Sequence, residues 1–403
     1  MADLLGLTAI ALISVLTFFL ASYQPKAAKI LFVALAVRII VLLLGHYIVD
    51  LPDSGKDDLT FENKAWEWAQ FGFFNTINQY PGPDSSFVSW IIALVYSVTG
   101  RSLLIAKSIS LLFGIGSVFL GWLLTLRIWD ERSASKAGWF FALYPTLILY
   151  SCLTLRETYI SFFLLVAMFG IVIWAKKQSF KSIILSIFGF TAATFFHGGM
   201  IIGGVTFLTI ILFRNIHTSL ILLKRLVINL KVFLIIFLIS LIIGIYISQG
   251  INIPKIGSFE ALTNLDRFLE NINQRRLGDA SYPEWLSVNS VNELIYKGPI
   301  RIFYFMFSPF LVEIEKISHL FGFFDSIIYA LLVFFTLRNR KVIWKNIALK
   351  TILIVLASYF VAFGLIIGNF GTAVRHRAKF IITFILIIAP LLPKFIVSKK
   401  IKK

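Results

Sequence analysis

The chain has 403 residues, is 58% hydrophobic and contains 41 Phe, with a mean hydropathy of +0.87. A soluble domain of this length cannot hide that much apolar surface, so the composition excludes an ordinary soluble enzyme and places the chain in a membrane. The formal net charge of +18 would suit nucleic acid if it were spread over a soluble surface. Most of the excess instead lies in short loops between apolar segments, where it acts as an orientation signal and a contact for anionic membrane lipids, with no nucleic-acid partner.

Read in chain order, the apolar segments predict about eleven transmembrane helices, near 4–22, 30–49, 103–126, 138–153, 158–174, 182–197, 199–213, 231–248, 320–337, 346–367 and 378–397. Residues 4–22 lack a basic leader and a small-residue cleavage site, so they read as a retained span rather than a signal peptide. Two shorter apolar stretches, 87–99 and 300–312, break the charge pattern if counted as spans. They read as interfacial or re-entrant helices, with Trp90, Tyr96, Phe303 and Tyr304 at the depth such aromatics favour. The fold class is thus an all-α polytopic membrane protein forming a single integral membrane domain over 1–403.

Lys and Arg set the orientation, because basic loops stay in the cytoplasm. With the N-terminus outside and the C-terminus cytoplasmic, the six inner segments hold 21 basic residues and only two acids, Asp130 and Glu131. The long connections 50–102 and 249–319 then lie outside, together with most of the acids. The single cysteine, Cys152, excludes an internal disulfide and a cysteine-based metal cluster.

Five outer segments carry candidate chemistry. Asp50-Leu-Pro-Asp53-Ser-Gly-Lys-Asp57-Asp58 places four carboxylates within nine residues. Crowded carboxylates repel and raise a pKa, which suits a base for a sugar hydroxyl. Oxygen ligands also suit Mg²⁺ or Mn²⁺, and a solvated acidic loop is the plain alternative. An amphipathic helix over Phe61–Phe74 follows. The span after Tyr144-Pro145 ends at Arg156-Glu157, either a phosphate-binding arginine or a structural pair between two helices. Phe195-Phe196-His197-Gly198-Gly199 reads as a tight turn whose His197 either moves a proton or is a satisfied structural group. Arg275 and Arg276 suit a pyrophosphate, an anionic saccharide or lipid headgroups. Gly368 to Lys379, with Arg375, His376 and Arg377, is a basic cluster on the wrong side for the charge rule. It reads as a shaped turn that clamps a diphosphate, or as a cluster paired with the loop acids. Arg38 is a further charge inside the second span, open between an acidic partner and snorkelling.

No Walker A loop, zinc-protease helix or serine-nucleophile elbow occurs in the sequence. An acidic motif at Asp53–Asp58 followed by amphipathic helices over 61–74 and 87–99 resembles the GT-C class of membrane glycosyltransferases. The arginine at a span end, the later His-Gly turn and the Gly371–Arg377 cluster are similar to polysaccharide polymerases of the Wzy and EpsG kind. The resemblance departs from the pattern in one respect: the acidic motif follows the second span rather than the first. It implies a donor on undecaprenyl phosphate or diphosphate, an inverting displacement in surface polysaccharide assembly, and other assembly proteins as partners. An outer-loop Asp would activate the acceptor hydroxyl, and Arg375, Arg377 and Arg156 would stabilise the phosphate leaving group. A single-sugar transferase and a lipid-linked saccharide transporter are the alternatives.

Overall fold

The computed structural model describes residues 2–55, 57–223, 269–270, 272–273 and 280–394. Among these residues the regular structure is helical, and one isolated β-bridge joins Ser281 to Asn369. Six stretches are long and apolar enough to cross a membrane: Asp3–Tyr23, Pro25–Tyr47, Leu103–Ile128, Glu157–Lys177, His319–Arg338 and Ile347–Ile366. The chain is a multi-pass helical membrane protein.

Six of the eleven expected spans therefore meet that length and hydropathy. The expected span 231–248 lies outside the described residues. The expected span 138–153 is broken: α7 (Glu131–Leu143) stops at Tyr144, and the short α8 (Pro145–Tyr150) starts anew. Proline has no N–H to give the preceding turn, so a helix rarely runs through it. Phe180–Phe196 is a helix of 17 residues, and the helix that follows runs Ile201–Leu223. The last helix runs Phe370–Ile388, so the basic residues 375–379 are inside it and not in a turn ahead of it. Of the two short apolar stretches, 87–99 is a helix, whereas 300–307 is the end of a longer helix, Val291–Phe307, and 308–312 lies beyond that end and enters a 3-10 turn at Leu311.

The chain divides into two compact units. The first comprises 1–196, 328–348 and 375–403. It is built on α1 (Ala2–Tyr23), α2 (Ala28–Tyr47), α3 (Asp57–Ala69), α4 (Phe73–Asn78), α5 (Phe87–Thr99), α6 (Leu103–Ile128), α7, α8, α9 (Glu157–Lys177) and α10 (Phe180–Phe196). Ser102 caps α6 by accepting from the Ile105 amide, and Asp130 caps α7 by accepting from the Ser133 amide at 2.7 Å. Small residues let the hairpin α9–α10 close: a methyl group at Gly189 would collide with the Ala167 backbone, and one at Gly170 with Ser186. The buried Glu62 of α3 accepts two hydrogen bonds from Arg101, at 2.6 and 3.0 Å, and one from the Tyr96 hydroxyl of α5 at 2.9 Å.

Arg38 neither meets an acid nor snorkels. Its two terminal nitrogens donate to the carbonyls of Ala142, at 2.7 Å, and Phe141, at 3.0 Å. In an unbroken helix the Phe141 carbonyl would accept from the amide four residues on, which is Pro145. The guanidinium supplies the donors that the Pro145 break removes, in a setting where an unmet carbonyl costs several kcal/mol.

The second unit comprises 197–327 and 349–374. It contains α11 (Ile201–Leu223), α12 (Val291–Phe307), the first half of α13 (Ile317–Arg338), whose second half and α14 (Arg340–Lys345) belong to the first unit, and most of α15 (Ile347–Ile366). Arg301 of α12 is fully buried and donates to the carbonyls of Leu286, Leu365 and Ile367, which gathers the chain around the end of α15. The helix Phe370–Ile388, α16, begins in the second unit and carries Arg375 to Lys379 in the first.

Candidate functional site

The site is built within the first unit from three segments distant in sequence. Asp57 and Asp58 form the first turn of α3, where the partial positive charge of a helix N-terminus favours carboxylates. Glu157 opens α9, and Arg375 lies one turn into α16.

Arg375 joins them. Its Nε donates to Glu157 Oε1 at 2.9 Å, and its Nη1 donates to Asp57 Oδ2 at 2.5 Å. Lys379, one helical turn further along α16, brings its ammonium to 3.7 Å from the same Glu157 oxygen. Glu157 and Lys379 are buried, and Asp57 is half exposed, so the network runs from an accessible acid to a closed interior. Burial disfavours the charge on Arg375, but Glu157 and Asp57 outweigh it and raise its pKa above the ordinary arginine value. The guanidinium is therefore a permanent cation.

Arg156 stands beside this network without entering it. It is buried, lies over the Phe61 ring at 5.2 Å and donates to the Phe196 carbonyl at 3.4 Å. Glu157 thus pairs with Arg375, and the Arg156–Glu157 pair, one of the two readings of the sequence, is not the contact that forms. The acidic loop is tied to the same region at two points. The Tyr150 hydroxyl donates to Asp53 Oδ2 at 2.8 Å, and the Thr154 hydroxyl donates to the Asp58 carbonyl at 2.7 Å. Asp53 itself sits in the left-handed region with φ of 63°, which an aspartate tolerates better than most residues.

Several charged atoms here are buried and have no protein partner: Glu157 Oε2, Arg375 Nη2, Arg156 Nε and Asp58 Oδ1. Most buried polar atoms in folded proteins are satisfied, so these four are positions that water or a ligand would fill. Below Glu157 a cavity of about 20 Å³ is lined by Arg38, Tyr150, Glu157, Thr158 and Ser161. That volume is about the size of a single water molecule, and Val118, Phe141, Leu147 and Ile382 complete a largely apolar wall.

Of the remaining candidates, His376 touches the network through Lys379, and the others are placed elsewhere or lie outside the described residues. Arg377 is two residues from Arg375 and so faces another side of α16, where its guanidinium lies over the Tyr329 ring at 5.4 Å. The two arginines do not form one clamp. His376 contacts Lys379, Nδ1 to Nζ, at 2.6 Å. His197 belongs to the second unit: its Nδ1 accepts from the Gly199 amide at 3.2 Å, and its ring lies 5.3 Å from that of Phe363. The Gly198–Met200 turn expected there is present as a single 3-10 turn. Arg275 and Arg276 lie outside the described residues. For Mg²⁺ or Mn²⁺, no group of three or more His, Cys, Asp or Glu side chains is placed to hold a metal among the described residues.

Sequence reasoning passed over Tyr150 and Lys379 as site residues. Lys379 carried a signal, since it is four residues from Arg375 and therefore on the same helix face. Tyr150 carried none, because only the break at Pro145 turns it toward the loop. Compared with known proteins, the chain matches no family model, no curated protein and no solved structure.

Proposed function

We propose that the protein is a membrane glycosyltransferase that draws a sugar or oligosaccharide from an undecaprenyl-phosphate or undecaprenyl-diphosphate carrier during surface polysaccharide assembly, with repeat-unit polymerisation as its specific role. The observation that supports this reading best is the Asp57–Arg375–Glu157 network with Arg156 at its side. It gathers fixed cations next to an accessible acidic loop, which is the charge arrangement that displacement at a phosphate-activated anomeric carbon requires.

In this reading the acceptor hydroxyl oxygen attacks the anomeric carbon. The bond from that carbon to the phosphate oxygen breaks, and its electron pair stays on the phosphate. Arg375, through its open Nη2, and Arg156 meet the growing negative charge. The hydroxyl proton passes to Asp53, which is exposed and held by Tyr150. Glu157 keeps Arg375 aimed. The site would face the outside of a bacterial plasma membrane, with the N-terminus outside and the C-terminus in the cytoplasm, as the basic loops predict.

The test is the surface-glycan ladder of a strain lacking the gene, complemented with wild type, Asp53→Asn and Arg375→Lys at matched membrane levels. A polymerase gives loss of long chains with one repeat unit retained, restored by wild type and not by Asp53→Asn. A uniform small mobility shift identifies a single-sugar transferase instead. A ladder unchanged by deletion refutes the glycosyltransferase reading. It would favour a lipid-linked saccharide transporter, for which the buried Arg38 within α2 gives some support.

A further inference from the structure

Helix α2 has a chemically distinct region at each end. Asp53 follows its last turn, and Lys26 precedes its first, so the acidic loop and the Lys26 region are separated by the length of the helix. At the Lys26 end the first unit contains a cavity of about 740 Å³, whose walls include Arg132, Lys136, Lys394 and the indoles of Trp122 and Trp139.

The charges in this cavity do not cancel. Lys26 is paired with Glu131, and both are exposed. The other acid, Asp130, spends its carboxylate on the Ser133 amide at the start of α7. Arg132 and Lys394 are exposed, and Lys136, although its ammonium donates to the Pro390 carbonyl at 2.7 Å, keeps its positive charge. Three cations thus face one committed carboxylate. A second observation is independent of the charges: the Nε1–H of Trp122 is buried and has no protein acceptor. A buried donor of this kind is normally satisfied. A cationic cavity with a buried, unpaired indole donor on a residue of its wall, beside helices long enough to span a membrane, fits a group that brings an oxyanion and an apolar tail together.

We infer that this cavity is a binding site for the phosphate headgroup of an anionic phospholipid. The phosphodiester oxyanion sits among Arg132, Lys136 and Lys394, and Trp122 donates to one of its oxygens. Free phosphate has the same chemistry but lacks the acyl chains, so the experiment separates the two sources. The inference does not depend on the transferase reading, because none of these residues belongs to the Asp57–Arg375–Glu157 network.

The test uses the full-length protein in nanodiscs of phosphatidylcholine mixed with phosphatidylglycerol. Native mass spectrometry of the released protein counts the lipids it retains. Phosphatidylglycerol should be held in strong preference to phosphatidylcholine. Arg132→Ala, Lys136→Ala and Lys394→Ala should each reduce that preference about five-fold, the worth of one basic residue near an anionic surface. Trp122→Phe, which keeps an aromatic ring and removes the donor, should also reduce it. Equal retention of the two lipids by wild type overturns the inference. So does an equal loss from Lys341→Ala, an exposed lysine outside the cavity. Displacement of the retained lipid by inorganic phosphate alone overturns the lipid as the source.

Discussion

Replacing Glu157 by Gln should destabilise the protein by about 3–5 kcal/mol, the usual result of leaving a buried charge without its partner. Glu157 is buried and lies 2.9 Å from Arg375 Nε and 3.7 Å from Lys379 Nζ. At an effective dielectric of about 20, each contact carries roughly 4–6 kcal/mol of Coulomb attraction, and desolvation of the carboxylate offsets much of the sum. Removing the carboxylate alone removes the attraction and leaves the buried Lys379 ammonium beside the partly buried Arg375 guanidinium. Arg375 keeps only the half-exposed Asp57, and Lys379 loses its carboxylate. The double variant Glu157→Gln/Arg375→Met should lose less than the two single variants added together, with a coupling of about 1–3 kcal/mol. The assay is reversible unfolding in mixed micelles titrated with sodium dodecyl sulfate, followed by tryptophan fluorescence. Glu157→Gln unfolding within ~1 kcal/mol of wild type, together with additivity in the double variant, would refute a network that holds α9 to α16.

Three further outcomes follow from the same structure. Arg38→Met should be strongly destabilising, because the carbonyls of Phe141 and Ala142 lose their donors next to Pro145, and Arg38→Lys should recover only part, since one ammonium replaces two aligned guanidinium nitrogens; the same micelle titration reads both. Gly189→Leu should cost at least about 1–3 kcal/mol by forcing α10 away from the Ala167 backbone, and wild-type stability in that variant would mean that the hairpin is not this tightly closed. Hydrogen bonding from the Ser133 amide holds the Asp130 pKa below the usual carboxylate value, so its contribution is present above that value and is lost as pH falls through the lowered one. Asp130→Asn keeps a capping oxygen without the titration and should flatten the fall in stability below about pH 4, which an unfolding series in acid would record.

Much of the architecture was legible because hydrophobic length is a local property. The six spans that stand as drawn are uninterrupted apolar runs, and water-to-membrane transfer decides them without reference to any neighbour. The segment 138–153 failed as a span for an equally local reason, Pro145, whose break is compensated by Arg38 from a helix about 100 residues earlier. The basic stretch before the expected last span read as a turn because charges look like loop. Its residues are instead helical, since Glu157 and Asp57 neutralise Arg375 where it enters the interior.

By itself the sequence determined the membrane, the helical class, the acidic loop and the list of charged residues, because composition and apolar run length act one segment at a time. It did not determine which charges meet. Arg375 was readable as a partner of the loop acids or as half of a clamp with Arg377, and the glycines and Asn369 favoured the clamp. The period of α16 separates the two arginines, and the fold brings together α3, α9 and α16, which are about 100 and 218 residues apart along the chain. Pairing at such separations is settled by how helices pack, because a buried ion is stable only where its partner has been carried to it.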